Sequence, residues 1–145
     1  MTNLRIALVT RGGFVDPEAV PAALETLVED GTSERPPFIA IRSVSGAVAR
    51  VAEDATAYAH RRAELMVVTT IVGPAPVVDA ARPGFAAVWD RLAPDVSGLY
   101  ANFLSTATDE DVAGVYPAST YQRLAAAKRR YDPGNLFAGN HNVRP

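Results

Sequence analysis

With 145 residues, 48% of them hydrophobic, the chain is one domain's worth of material, able to bury roughly 70% of its unfolded surface around a single core. A net charge of −2 and a pI near 5.6 give no field that would draw nucleic acid, and the basic residues are dispersed apart from Lys128–Arg130. The absence of cysteine excludes disulfides, thiolate nucleophiles, zinc–thiolate sites and cysteinyl attachment of a cofactor. No signal-peptide succession opens the chain, and the apolar runs Ile6–Val9 and Leu65–Val72 are too short to span a bilayer, so the expectation is a soluble, cytoplasmic protein with no membrane partner.

In chain order, Leu4–Thr10 reads as a strand and Arg11-Gly12-Gly13 as a turn. A helix is expected from Pro21, where proline is tolerated in the first turn, with Val20, Leu24, Leu27 and Val28 on one face and Gly31 as its stop. Thr32–Pro37 is linker-like and Phe38–Ser43 is a strand. Ser45–Arg62 is ambiguous, since its alanines favour a helix over Val51–Arg62 by propensity. Leu65–Val72 is an apolar, β-branched run suited to a central strand, ended by Gly73-Pro74-Ala75-Pro76. Phe85, Val88, Trp89 and Leu92 follow an amphipathic helical stripe opening at Pro83, and Pro94–Gly98 turns the chain.

Tyr100–Leu104 is a strand whose period of two puts Tyr100 and Asn102 on one face and Ala101 and Phe103 on the other. Asp109-Glu110-Asp111 reads as a solvated charge run in a loop. Ser119–Arg130 is a helix with capping-box spacing between Ser119 and Gln122, with Tyr121, Leu124, Ala125 and Tyr131 near one another and Lys128–Arg130 against the negative end of its dipole. It ends by Tyr131, because Asp132 precedes a proline and Pro133-Gly134-Asn135 is turn chemistry. The order of strands and helices suits an α+β fold, an antiparallel sheet with helices packed mainly on one face.

Few chemical motifs stand out. Neither G-x-G-x-x-G nor G-x-x-x-x-G-K-[ST] occurs, so a cradle for nucleotide phosphates is missing from the sequence. His60 and His141 are the only histidines and do not form a metal-ligand spacing, so no metal is expected. Ser43 and Ser45 lie outside any G-x-S-x-G.

The C-terminal stretch carries Tyr100, Asn102, Phe103, Tyr116, Arg123, Leu124, Lys128, Asp132, Pro133, Asn135, Phe137, Asn140, Asn142 and Pro145 at spacings that resemble the C-terminal segment of the berberine-bridge-enzyme-like, FAD-linked oxidoreductases. Gly46–Val51, Asp54–Tyr58 and His60-Arg61 are similar to a second passage of that family, with Ser45 where a glycine is usual. The resemblance implies that residues 1–145 form a single partial substrate domain, with a berberine-like segment over about 100–145 and no FAD-binding domain. It also implies that Ser45–Arg62 is an irregular excursion near the ligand, and that the last helix and tail return to the flavin domain.

By the same resemblance, FAD is the cofactor, contacted by Asn102 and approached by Asn140 and Asn142 but not held tightly by this chain alone. An amide suits the mixed donor and acceptor edge of a flavin ring. Tyr58, His60 and Arg61 are substrate-side candidates. Phe103 stands where several members have a tyrosine that removes a substrate proton, and a benzyl group cannot exchange one. Tyr100 is then the catalytic candidate, with Tyr58 a weak substitute.

Two functions follow. One is the C-terminal substrate-domain part of an FAD-linked oxidoreductase acting on a small-molecule metabolite, with a separate flavin-binding domain or protein as partner. The other is a flavin-free, repurposed domain, pairing with a second copy of itself as a binding or interaction module or as a cofactor-free catalyst. In either case an uncovered apolar surface argues against a simple monomer.

Overall fold

The computed structural model describes residues 5–34 and 36–145. Four strands, β1 (Ile6–Val15), β2 (Phe38–Ser43), β3 (Leu65–Pro74) and β4 (Gly98–Leu104), form one antiparallel sheet in the order β2-β3-β1-β4. The helices are α1 (Val20–Gly31), α2 (Ala75–Leu92), α3 (Asp109–Val115) and α4 (Ala118–Tyr131). The expected α+β layer is present.

Alternation along the central strands divides the interior. Val9 and Val15 of β1 and Val67 of β3 face α1 and α2, where Ala23, Leu27, Val78, Phe85, Val88, Trp89 and Leu92 complete the main core. Thr69 lies on the same side, fully buried, and its Oγ1 accepts a 2.8 Å hydrogen bond from Trp89 Nε1. The opposite face carries Phe14, Met66 and Val68. Leu4, which the sequence reading placed at the head of the first strand, lies outside the described residues.

Several expectations are corrected. Gly12 and Gly13 lie inside β1 rather than in a turn, and their pairing with Val68 and Val67 of β3 is unbroken. What they supply is room. A Cβ on Gly12 would sit 2.9 Å from Phe103 Cβ, and one on Gly13 would sit 2.9 Å from Val96 Cγ1. α2 begins at Ala75 and runs through Pro83. Its buried stripe, Val78, Phe85, Val88, Trp89 and Leu92, extends to both sides of the proline, and packing along it outweighs one forfeited backbone bond. In α1 the buried face is Ala23, Leu27 and Asp30, while Val28 is exposed; small Ala23 goes inward, and Asp30 pairs with Arg91 of α2.

Asp109-Glu110-Asp111 is the first turn of α3 rather than a loop. Thr108 and Asp111 form a capping box, each side chain accepting the other's backbone N–H at 3.1 Å. Asp111 is buried and its Oδ1 receives Arg11 Nη1 at 3.0 Å. Burial alone would raise its pKa, but hydrogen bonds from Thr106 and Thr108, with the Arg11 charge, outweigh that and hold it below the usual value. The box expected at Ser119 is absent, because Pro117 is the N-cap of α4 and makes no side-chain cap bond. Ser45–Arg62 is irregular, as the family resemblance implied and helix propensity did not.

Replacing Trp89 with Phe keeps an aromatic ring in the core but leaves the buried Thr69 hydroxyl without its donor. Stability in urea unfolding is expected to fall by about 1–3 kcal/mol, with little change in the m-value.

Candidate functional site

The Tyr100–Phe103 stretch does not follow a simple period of two. Arg11 pairs with Leu104 and Gly13 with Leu99, so Gly12 alone stands opposite the four residues Tyr100–Phe103. The extra length bows outward as a bulge. Leu99 and Leu104 both turn toward Val115 of α3, with Ala101 beside them, whereas Tyr100 and Phe103 both pack on the open face of the sheet. Phe103 therefore joins Tyr100 instead of opposing it, a correction caused by the bulge.

Phe14, only 1% exposed, is the hub of that face. The ring of His60 stacks on it at 5.0 Å, and Tyr58 and Tyr100 meet it edge-on at 5.6 and 5.7 Å. Phe103 lies 5.7 Å from Tyr100. Asn102 is exposed at the tip of the bulge, where its Nδ2 donates to the Tyr100 hydroxyl at 3.0 Å. That leaves the Asn102 carbonyl as an acceptor and the Tyr100 O–H as a donor, side by side.

The other candidates fall in the 45–62 segment and in the C-terminal tail. His60 fills the space over Gly98, where a Cβ would fall 1.9 Å from its Cε1. Its Nε2 donates to the carbonyl of Val115 at 3.2 Å, so Nδ1 is the acceptor. Burial pushes its pKa below the ordinary 6.5, with the bond to Val115 pulling the other way. His60 is thus a neutral pin between the irregular 45–62 segment and the end of α3. Arg61 donates to Val48 O at 3.3 Å and Thr56 Oγ1 at 2.8 Å and lies 5.0 Å over the Tyr58 ring. Burial pushes the Tyr58 phenol up, with the Arg61 charge opposing it, so Tyr58 stays protonated and is the poorer base.

Asn140 and Asn142 belong to the C-terminal tail. Asn140 takes a left-handed φ of 54° and accepts the Asn142 N–H at 2.9 Å. The tail around them is strapped down by His141 on Thr106 O at 2.9 Å and Arg144 on Tyr121 Oη and Asp109. Neither asparagine hydrogen-bonds Tyr100 or Asn102 among the described residues. Asn142 lines a recess of about 420 Å³ with Tyr116 and Tyr121.

Spacing alone did not reveal two organising groups. Phe14 was hidden behind a misread turn. Asp132 accepts the N–H groups of Leu136 and Phe137 at 2.7 and 3.1 Å and pairs with Lys128, whose hydrogen bond, with the two backbone donors, lowers its pKa. With Asn135 at a left-handed φ of 51°, this fixes the turn after α4. The Lys-x-x-x-Asp-Pro spacing was the available signal.

Tested against a flavin nucleotide, these residues fit part of the molecule. The Asn102–Tyr100 pair suits a heterocyclic ring edge. Gly12 and Gly13, the one glycine pair of the chain, lie flat in a strand with their free sides filled, and cannot wrap phosphates.

The fold is an α+β layer whose antiparallel sheet buries one face against helices and presents an amide–phenol pair on the other. Residues 99–144 match the family described as Berberine and berberine like. The chain carries the berberine-like C-terminal segment of the FAD-linked, berberine-bridge-enzyme-like oxidoreductases. It is 54% identical over 41 residues, 28% of its length and 9% of the relative's, to (R)-6-hydroxynicotine oxidase of Paenarthrobacter nicotinovorans. It is 28% identical over 143 residues to an FAD-linked oxidoreductase of Dictyostelium discoideum, covering 93% of this chain and 30% of that one. It shares its fold with BBE-like 1 of Physcomitrella patens at a TM-score of 0.78 and 16% identity, covering 96% of this chain and 30% of the other. The chain thus spans under a third of the length of these relatives.

The depressed His60 pKa has a sign. Between the folded and unfolded values the unfolded chain binds the extra proton, so this contribution is complete above about pH 6.5 and is lost as pH falls toward the folded value. Melting temperatures should therefore drop between about pH 7 and pH 5.5. In His60→Gln that slope should flatten, as read by calorimetry across the same range.

Proposed function

We propose that the chain is the C-terminal substrate-domain part of an FAD-linked oxidoreductase that acts on a small alcohol, amine or phenolic metabolite in the cytoplasm. The flavin is held by a separate flavin-binding domain or protein. One observation carries this reading: the sheet face bearing Asn102 and Tyr100 is uncovered and continues into apolar side chains. Leu8 and Val72, paired across β1 and β3, are 56% and 62% exposed, with Ile6 and Phe38 on the same face at 63% and 68%. A patch of that kind marks a surface built to be covered.

When bound, FAD supplies an acceptor for hydride. Asn102 Oδ1 would face the ring edge, while Tyr58 and Phe103, packed around Phe14, would shield the reacting side from water. Phe103 has no exchangeable proton, so proton removal would fall to Tyr100 as its phenolate, whose charge the N–H that Asn102 donates to that oxygen would stabilise. His60 positions the surrounding segment through the bond of its Nε2 to Val115.

The second reading, a flavin-free homodimeric module or cofactor-free catalyst, draws on the same uncovered surface. Purification separates the two. The chain alone is expected to be colourless, and affinity capture from its native extract should yield a yellow complex. In that complex Asn102→Ala should shift the flavin spectrum and Tyr100→Phe should slow flavin reduction by about 10²–10⁴-fold. Flavin bands on the isolated chain would rule out the need for a partner, and no flavin from either source would favour the second reading.

A further inference from the structure

The four strands carry only two charged residues, Arg11 and Arg42. Arg11 faces the helices, where its guanidinium lies 5.4 Å over the Trp89 ring and pairs with Asp111. Arg42 stands on the opposite face, since Ala40, two residues before it on β2, packs with Phe14, Met66 and Val68. There its guanidinium lies 5.4 Å over the Phe103 ring. Unlike Arg11 it is exposed, and it has no carboxylate partner among the described residues.

The chain therefore supplies an anion to one strand arginine and none to the other. The face that bears Arg42 is the one a flavin-binding partner would cover, and a guanidinium taken out of water without a counter-charge is strongly destabilising. An arginine laid over a ring keeps its in-plane N–H donors free, two of them side by side at the spacing of carboxylate oxygens. Phe103, the ring beneath Arg42, lies 5.7 Å from the ring of Tyr100. Cation and candidate base thus flank one aromatic ring, and a flat molecule that reaches Tyr100 across Phe103 brings its far end to Arg42.

We infer that Arg42 is a specificity-determining residue and that the substrate is a small aromatic metabolite bearing a carboxylate. Arg42 holds the carboxylate, Phe103 gives the flat middle of the molecule an apolar ring to pack on, and the alcohol, amine or phenol group faces Tyr100. The catalytic part of this assignment rests on the oxidoreductase reading proposed above. The anion contact belongs to this chain alone and is tested without a flavin.

The probes are para-hydroxymethylbenzoate and its neutral counterpart, para-methylbenzyl alcohol. In NMR spectra of the isolated chain the benzoate should shift the Arg42 Nε–H and Phe103 ring signals saturably, and the neutral alcohol should bind about 10-fold more weakly or worse. Arg42→Gln should abolish the benzoate effect, and Arg42→Lys, which keeps the charge but not the paired donors, should restore part of it. In the flavin-loaded complex Arg42→Gln should lower the ratio of kcat/KM for the benzoate over the neutral alcohol by about 10–100-fold, mainly through KM. A benzoate that leaves the Arg42 signals of the folded chain unmoved overturns the anion site, whatever becomes of the flavin partner. Pyrophosphate that shifts those signals where the benzoate does not overturns the substrate class in favour of a phosphate contact, and an Arg42→Gln complex with an unchanged preference for the benzoate also overturns it. Failure to capture any yellow complex counts against the oxidoreductase reading alone, because the NMR measurement decides the anion site.

Discussion

Gly12 has no side chain, and four residues of β4 occupy the room that this leaves. The contact is tight, with Phe103 Cβ 2.9 Å from where a Gly12 Cβ would sit. Any larger residue would push Tyr100–Phe103 away from the sheet. The bow of β4 over Gly12 turns Tyr100 and Phe103 to the same side, brings Tyr100 against Phe14, and leaves Asn102 at the crest within reach of the Tyr100 hydroxyl. The candidate site is therefore a property of backbone packing at one position in β1. The polar residues on display depend on it without causing it.

The sheet is finished on one side and unfinished on the other. Beneath it, α1 and α2 bury a continuous apolar core, the Trp89 indole meets Thr69, and the Arg11–Asp111 pair ties β1 to α3. Above it, the rings gather around Phe14 at one end while Leu8, Val72 and Phe38 remain open at the other. Hydrophobic burial explains why the first side is stable without help. The second side offers apolar surface that further protein can cover at a net gain, which accords with a segment whose relatives are three times its length.

The irregular parts are held by polar links more than by packing. His60 pins the 45–62 segment to Val115, Arg61 ties it to Val48 and Thr56, and Arg123 of α4 reaches the carbonyl of Asp54. Asp132 closes the turn after α4 in the same manner, with Leu136 and Phe137 left outside. Segments secured by directed bonds at a few points keep a defined shape while exposing their side chains.

Local pattern alone determined the central strand at Leu65–Val72, the stripe Phe85–Val88–Trp89–Leu92, the end of the last helix near Tyr131 and the α+β class. These rest on periodicity, proline and turn chemistry, which act within a few residues. Spacing in the C-terminal third also carried the family likeness. Tertiary structure decided the rest. Whether Gly12-Gly13 turned or ran straight depended on Phe103 and Val96, distant in sequence. Whether Pro83 began a helix depended on Val78 finding the core. Asp111 looked like a solvated charge until Arg11, a hundred residues earlier, was seen to meet it. Each outcome is a contact between remote segments, and its energy appears only when the chain has folded.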